Sequence, residues 1–227
     1  MKSTFLLFVI FISLVSCKKE TEPVSLTGTP EPIVRVLSSD TLRTGQKWGF
    51  SIGDSTTDMY FRMQSNRAEY PMNVFTIVGN IFTKVADLEN RLTLYSGIDL
   101  DQTIGSPNGI QIAFSNNKIK SIFTNNGTQL SRWPINEAPN SSIAIDDSID
   151  GLYSKLVNIS HINAYKSNFE RISLFFKDLN KDFDPHIILS PQWIYVRRVD
   201  SRMFYVIELN FVSGRLASIY STLNENL

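Results

Sequence analysis

Three residue types in this chain could carry covalent or acid–base chemistry. Gly53-Asp54-Ser55, preceded by Phe50-Ser51-Ile52, would present a serine hydroxyl on a tight turn, the posture of an acyl-transfer nucleophile. Such a serine needs a base, and the chain has only His161 and His186. His186 follows Asp182-Phe183-Asp184-Pro185, so neither acid stands three residues ahead of it. Both histidines read as surface or partly packed residues. Asp146-Asp147-Asp150 and Asp178-Asp182-Asp184 have the charge to hold a cation but not the spacing of a calcium loop, so they read as solvated loop acids. One Cys and two His exclude Cys/His zinc sites and disulfide frameworks. No glycine loop suited to phosphate is present, and no metal or cofactor is expected.

The Gly53-Asp54-Ser55 block resembles the nucleophile block of the GDSL (SGNH) esterases, and the resemblance implies Ser55 as nucleophile. That family also uses an oxyanion-hole Gly and Asn in later blocks, and a terminal Asp-x-x-His that supplies orienter and base. The chain has no Gly-x-Asn-Asp phrase and no such Asp-x-x-His. A divergent envelope esterase is therefore the alternative reading, and a non-catalytic protein the first.

Where the chain resides is written at its start. Lys2 is followed by the apolar run Thr4 to Val15, about a dozen residues and short of the roughly 20 that span a bilayer. The run ends in Leu14-Val15-Ser16-Cys17, which resembles the lipobox of bacterial lipoproteins. The resemblance implies cleavage before Cys17 and a diacylglycerol on its thiol, and Cys17 is the single Cys of the chain. Residues 1–16 then form a signal peptide. Residues 17–32, with Pro23, Pro30 and Pro32 among Thr, Ser and Glu, form a lipidated tether. Lys18 and Lys19 after the Cys, with no Asp, favour the outer membrane by the sorting rule of such lipoproteins. Lys+Arg 22 against Asp+Glu 22 argues against nucleic acid as a partner.

The elements that position these residues repeat. Phe50–Met63 lies over Ile143–Leu156 at an offset of 93, with Ile52, Asp54, Ser55 and Tyr60 matching Ile145, Asp147, Ser148 and Tyr153. Ile110–Phe123 lies over Ile207–Tyr220 at an offset of 97, with Ile110, Phe114, Ser121 and Ile122 matched. Asp54-Ser55 and Asp147-Ser148 are N-cap types ahead of helically spaced apolar residues. A duplicated cap explains both serines, whereas a nucleophile explains one.

The later blocks read as β-hairpins turning at Asn116-Asn117 and Ser213-Gly214. The expected register pairs Phe114 with Ile119, Ile112 with Ser121 and Ile110 with Phe123, burying all six. The duplicate pairs Phe211 with Leu216, Leu209 with Ser218 and Ile207 with Tyr220. The opposite face would then expose Lys118, Lys120, Ile122, Arg215 and Ile219. Further strand-like runs are Val74–Thr83, Arg91–Tyr95, Arg171–Phe176, His186–Leu189 and Trp193–Val199.

The sequence thus predicts an α+β fold of two tandem repeats, each a short helix followed by an antiparallel sheet of about four strands. The first repeat spans 33–124, the connector 125–141 and the second repeat 142–227. This architecture resembles the β-lactamase-inhibitor-protein-like fold and the SmpA/OmlA-type outer-membrane-assembly lipoproteins. Ile98–Pro107 (IDLDQTIGSP) is similar to a phrase of that superfamily, and the resemblance covers most of residues 46–222. It implies a protein-binding or assembly role and transfers no binding residue. The expected working surface is Lys118, Lys120, Ile122, Arg215 and Ile219, extended by Trp193 and Tyr195, whose aromatic rings beside Arg197 and Arg198 suit interface anchors. The expected partners are a membrane, through the lipid on Cys17, and a protein of the bacterial envelope.

Overall fold

Alternating strand patterns dominate the chain after its first thirty residues, and the structure, a computed structural model, describes residues 34–70, 72 and 74–227. In chain order the first elements are β1 (Val34–Leu42), β2 (Gln46–Lys47), β3 (Phe50–Ser51), α1 (Thr56–Ser65), β4 (Val74–Val78) and β5 (Ile81–Phe82). Then follow β6 (Tyr95–Asp101), β7 (Ile110–Ser115), β8 (Lys118–Thr124), β9 (Gln129–Leu130), β10 (Arg132–Trp133) and β11 (Ile143–Ala144). Last come α2 (Leu152–Ser160), β12 (Arg171–Asp178), β13 (Gln192–Arg198), β14 (Met203–Val212) and β15 (Arg215–Asn226).

Among the described residues 11 strands form one antiparallel sheet, ordered β1-β15-β14-β13-β4-β12-β6-β7-β8-β9, with β5 paired to β12. This overturns the expected pair of tandem helix-plus-sheet repeats. β4, from the first half of the chain, lies between β13 and β12 of the second; β12 in turn lies between β4 and β6. One strand of each half is thus lodged in the sheet of the other, and among the described residues one hydrophobic core runs beneath both. Period-two alternation tells a strand which side to bury and says nothing of which strand it will pair with.

What does repeat is local. Ser55 caps α1, its Oγ accepting from the Asp58 N–H at 3.1 Å; Ser148 caps the 3₁₀ turn ahead of α2, accepting from the Asp150 N–H at 3.3 Å. Asp54 pairs with Arg62 at 2.8 Å and Asp147 with Lys155 at 2.6 Å. Each Asp-Ser turn also holds a hairpin tip. The Leu216 N–H donates to the Asp54 carbonyl (2.9 Å) and the Thr56 N–H to the Gly214 carbonyl (3.0 Å). The Ile119 N–H donates to the Asp147 carbonyl (3.0 Å) and the Ile149 N–H to the Asn117 carbonyl (3.1 Å). Each turn therefore clasps the hairpin that belongs to the other half.

Both hairpins turn where expected, with Asn116, Asn117, Ser213 and Gly214 all at positive φ. Their registers differ from expectation past the first pair. Phe114 pairs with Ile119, but a bulge follows, so Ile112 pairs with Ile122 and Ile110 with Thr124. The second hairpin bulges at the same place, pairing Leu209 with Ile219 and Ile207 with Ser221. One extra residue on the return strand reverses every side chain beyond it. Ile122 and Ile219 turn into the core, while Ser121, Phe123, Ser218 and Tyr220 turn to the outer face.

Candidate functional site

Of the surface residues expected from sequence, Lys118, Lys120 and Arg215 are exposed. Ile122, Ile219, Trp193 and Tyr195 are buried, and so cannot line a binding face. The bulges account for the two isoleucines. Trp193 and Tyr195 share the inward parity of β13, where Trp193 packs between Phe75 (ring centroids 5.2 Å) and Phe211 (4.8 Å). Cys17 lies outside the described residues.

The groups considered for catalysis do not meet. Ser55 Oγ donates to Asp58 Oδ2 at 2.6 Å while accepting from the Asp58 N–H, the posture of a helix cap. His161 caps the C-terminus of α2, and His186 lies in the 3₁₀ turn Pro185–Leu189. Among the described residues no group of three His, Cys, Asp or Glu is placed to hold a metal ion.

His186 instead belongs to a closed ring of hydrogen bonds that sequence reading missed. Asp184 is buried; its Oδ1 accepts from the Arg91 guanidinium and from the His186 N–H (3.0 Å), and its Oδ2 from the Tyr95 hydroxyl (2.7 Å). The Asn80 amide, also buried, donates to Tyr95 Oη (2.9 Å) and to the Leu174 carbonyl (3.1 Å). Its Oδ1 meets His186 Nδ1 at 2.7 Å, which places the proton on Nδ1 and leaves the lone pair on Nε2. Phe82 stacks on the imidazole at 4.2 Å, and the Arg91 guanidinium lies 5.4 Å from the centroid of the Phe82 ring. Burial holds the His186 imidazole below its ordinary value, and burial with the Asp184 charge pushes the Tyr95 phenol far up.

Beside the ring lies Lys177, fully buried on the inner face. Its Nζ donates to Tyr60 Oη (3.0 Å) and to the Asp178 carbonyl (2.9 Å), and Tyr60 Oη donates to the Lys181 carbonyl (2.7 Å). Burial lowers the ammonium to about 8, against the pull of Asp178, Asp184 and Asp182. The strand geometry that buries it is a left-handed residue, Phe176 at φ +59, where the inward–outward alternation of β12 breaks while its register with β6 holds. Unbroken alternation would turn Lys177 outward, so the strand pattern of the sequence does not mark it as buried.

Two clefts flank this polar cluster. One, of about 580 Å³, opens between the tip of the β7–β8 hairpin and the ends of β6 and β12, with Tyr95, Ser96 and Asp178 in its wall. The other, of about 500 Å³, is bounded by Arg91, Asp182, Phe183 and Asp184. No protein-family model, curated protein or solved structure matches this chain.

Proposed function

We propose that this chain is a lipid-anchored protein of the bacterial envelope, tethered through Cys17, that acts as a non-catalytic module binding another protein through the outer face of its sheet. The anchor rests on the Leu14–Cys17 lipobox. The binding surface rests on one observation: the inner face of the sheet is buried against α1, α2 and the 3₁₀ turns, while aliphatic residues stand exposed on the outer face. Val196 is 50% exposed and pairs with Val206; Val74 on β4 is 39% and Val78 36% exposed. Around them lie Thr76, Ile194, Glu208 and Tyr220, paired across successive strands. An aliphatic centre within a polar surround fits a protein partner, because apolar contact supplies affinity while the rim sets register.

Site-specific photocrosslinking tests this in the native envelope. A photoreactive residue at Val196 or Val206 is expected to give a discrete protein adduct, lost when Val74→Glu is added. Adducts equally abundant from a probe at His161 would overturn the sheet-face reading. For the anchor, Cys17→Ser is expected to move the protein from the detergent to the aqueous phase on phase separation.

A further inference from the structure

Two residues at positive φ each precede a buried polar side chain, and one of the two is strained. Gly79, at φ +75 just after β4, is followed by buried Asn80; Phe176, at φ +59 within β12, is followed by buried Lys177. Glycine adopts left-handed backbone freely, whereas a bulky residue there is strained. A buried amide with three partners is well satisfied, whereas a buried ammonium with no carboxylate at ion-pair distance among the described residues is less so. Unbroken alternation along β12 would have placed Phe176 inward and Lys177 outward, the arrangement a core favours.

The cleft of about 580 Å³ opens directly against this feature. Tyr95 and Asp178 line it, as does Ser96, whose hydroxyl donates to the Phe176 carbonyl at 3.3 Å. At the other hairpin tip Ile188 packs close, since a Cβ on Gly214 would stand 3.3 Å from its methyl. The tip of the β7–β8 hairpin instead borders an open cleft, at the point where strain and buried charge coincide. Strained backbone beside a cleft points to a ligand.

The lining indicates which ligand. Asp150 and Asp178 are offset by Lys181, with Lys177 behind the wall, so net ligand charge gains little. Thr93, Ser115 and Asn116 offer hydroxyl and amide groups that make no side-chain hydrogen bond among the described residues, and Val74 supplies exposed apolar surface beside the edges of the buried Phe114 and Ile149. Alternating donors and acceptors over an apolar patch suit a ring with many hydroxyls and an exposed C–H face. We propose that this cleft binds a neutral saccharide of one or two sugar units, at a site that meets the outer sheet face at Val74 and does not include Val196.

Saturation-transfer NMR on the full chain in detergent, with maltose, cellobiose and N,N′-diacetylchitobiose as probes, tests this. At least one probe is expected to bind. Thr93→Val and Lys181→Ala, both at exposed positions, should weaken that binding roughly three- to tenfold, the worth of one hydrogen bond. Val196→Glu should leave it unchanged, which separates this site from the sheet face. Absence of transfer from all three sugars at millimolar concentration, or binding indifferent to both cleft substitutions, would overturn the proposal.

Discussion

Lys177 gives the protein a pH signature that a single substitution can remove. Its ammonium titrates at about 8 in the folded chain against an ordinary value of 10.5, because burial disfavours the charge. The unfolded chain therefore holds this proton more tightly, and Lys177 makes stability rise as pH climbs from about 8 to about 10.5. Below about 8 the full penalty is present. Lys177→Met keeps the aliphatic stem and removes the charge, and Tyr60 Oη retains its bond to the Lys181 carbonyl. The variant is expected to melt above the wild type at pH 7, with the gap narrowing across that window. A gap independent of pH, measured by thermal denaturation, would show that the charge is not what burial penalises.

The left-handed backbone of Phe176 makes a second test, at the scale of the strand. In a regular strand Ala is preferred to Gly, but at φ +59 the order should reverse. Phe176→Gly is expected to be more stable than Phe176→Ala by about 1 kcal/mol in chemical denaturation. Bulges also explain how much of each element could be read in advance. Helix starts were legible because Asp-Ser before spaced apolar residues has a chemical cause, and the hairpin turns because Asn and Gly accept positive φ. The register was not. Lys120 and Ala217 are the extra residues, and neither type marks a bulge, so Ile122 and Ile219 were placed on the wrong face. The polar ring was illegible for a related reason. Asn80, Arg91, Tyr95, Asp184 and His186 come from separate segments, and the packing of the fold brings them together.

At the scale of the molecule, the exchange of β4 and β12 makes each half depend on the other. Similar sequence blocks suggested two units side by side, because a repeat shows likeness and not which strands neighbour. A fragment ending at Thr124 would keep β4 but lose both of its partners, β12 and β13. It is expected to show no cooperative transition, whereas the full chain should unfold in one step followed by both fluorescence and circular dichroism. A fragment that melts cooperatively by itself would refute the interlock.

The pairing of β1 with β15 has a further consequence, for the order of events on the ribosome. Val34 lies opposite Asn226 and Leu42 opposite Ile219, so the first described strand finds its neighbour in the last. Until β15 has been synthesised, β1 has none of its described neighbours to join and the nascent chain carries an unpaired β segment. A premature stop codon removing β15 would therefore strip two strands from the sheet while deleting only one.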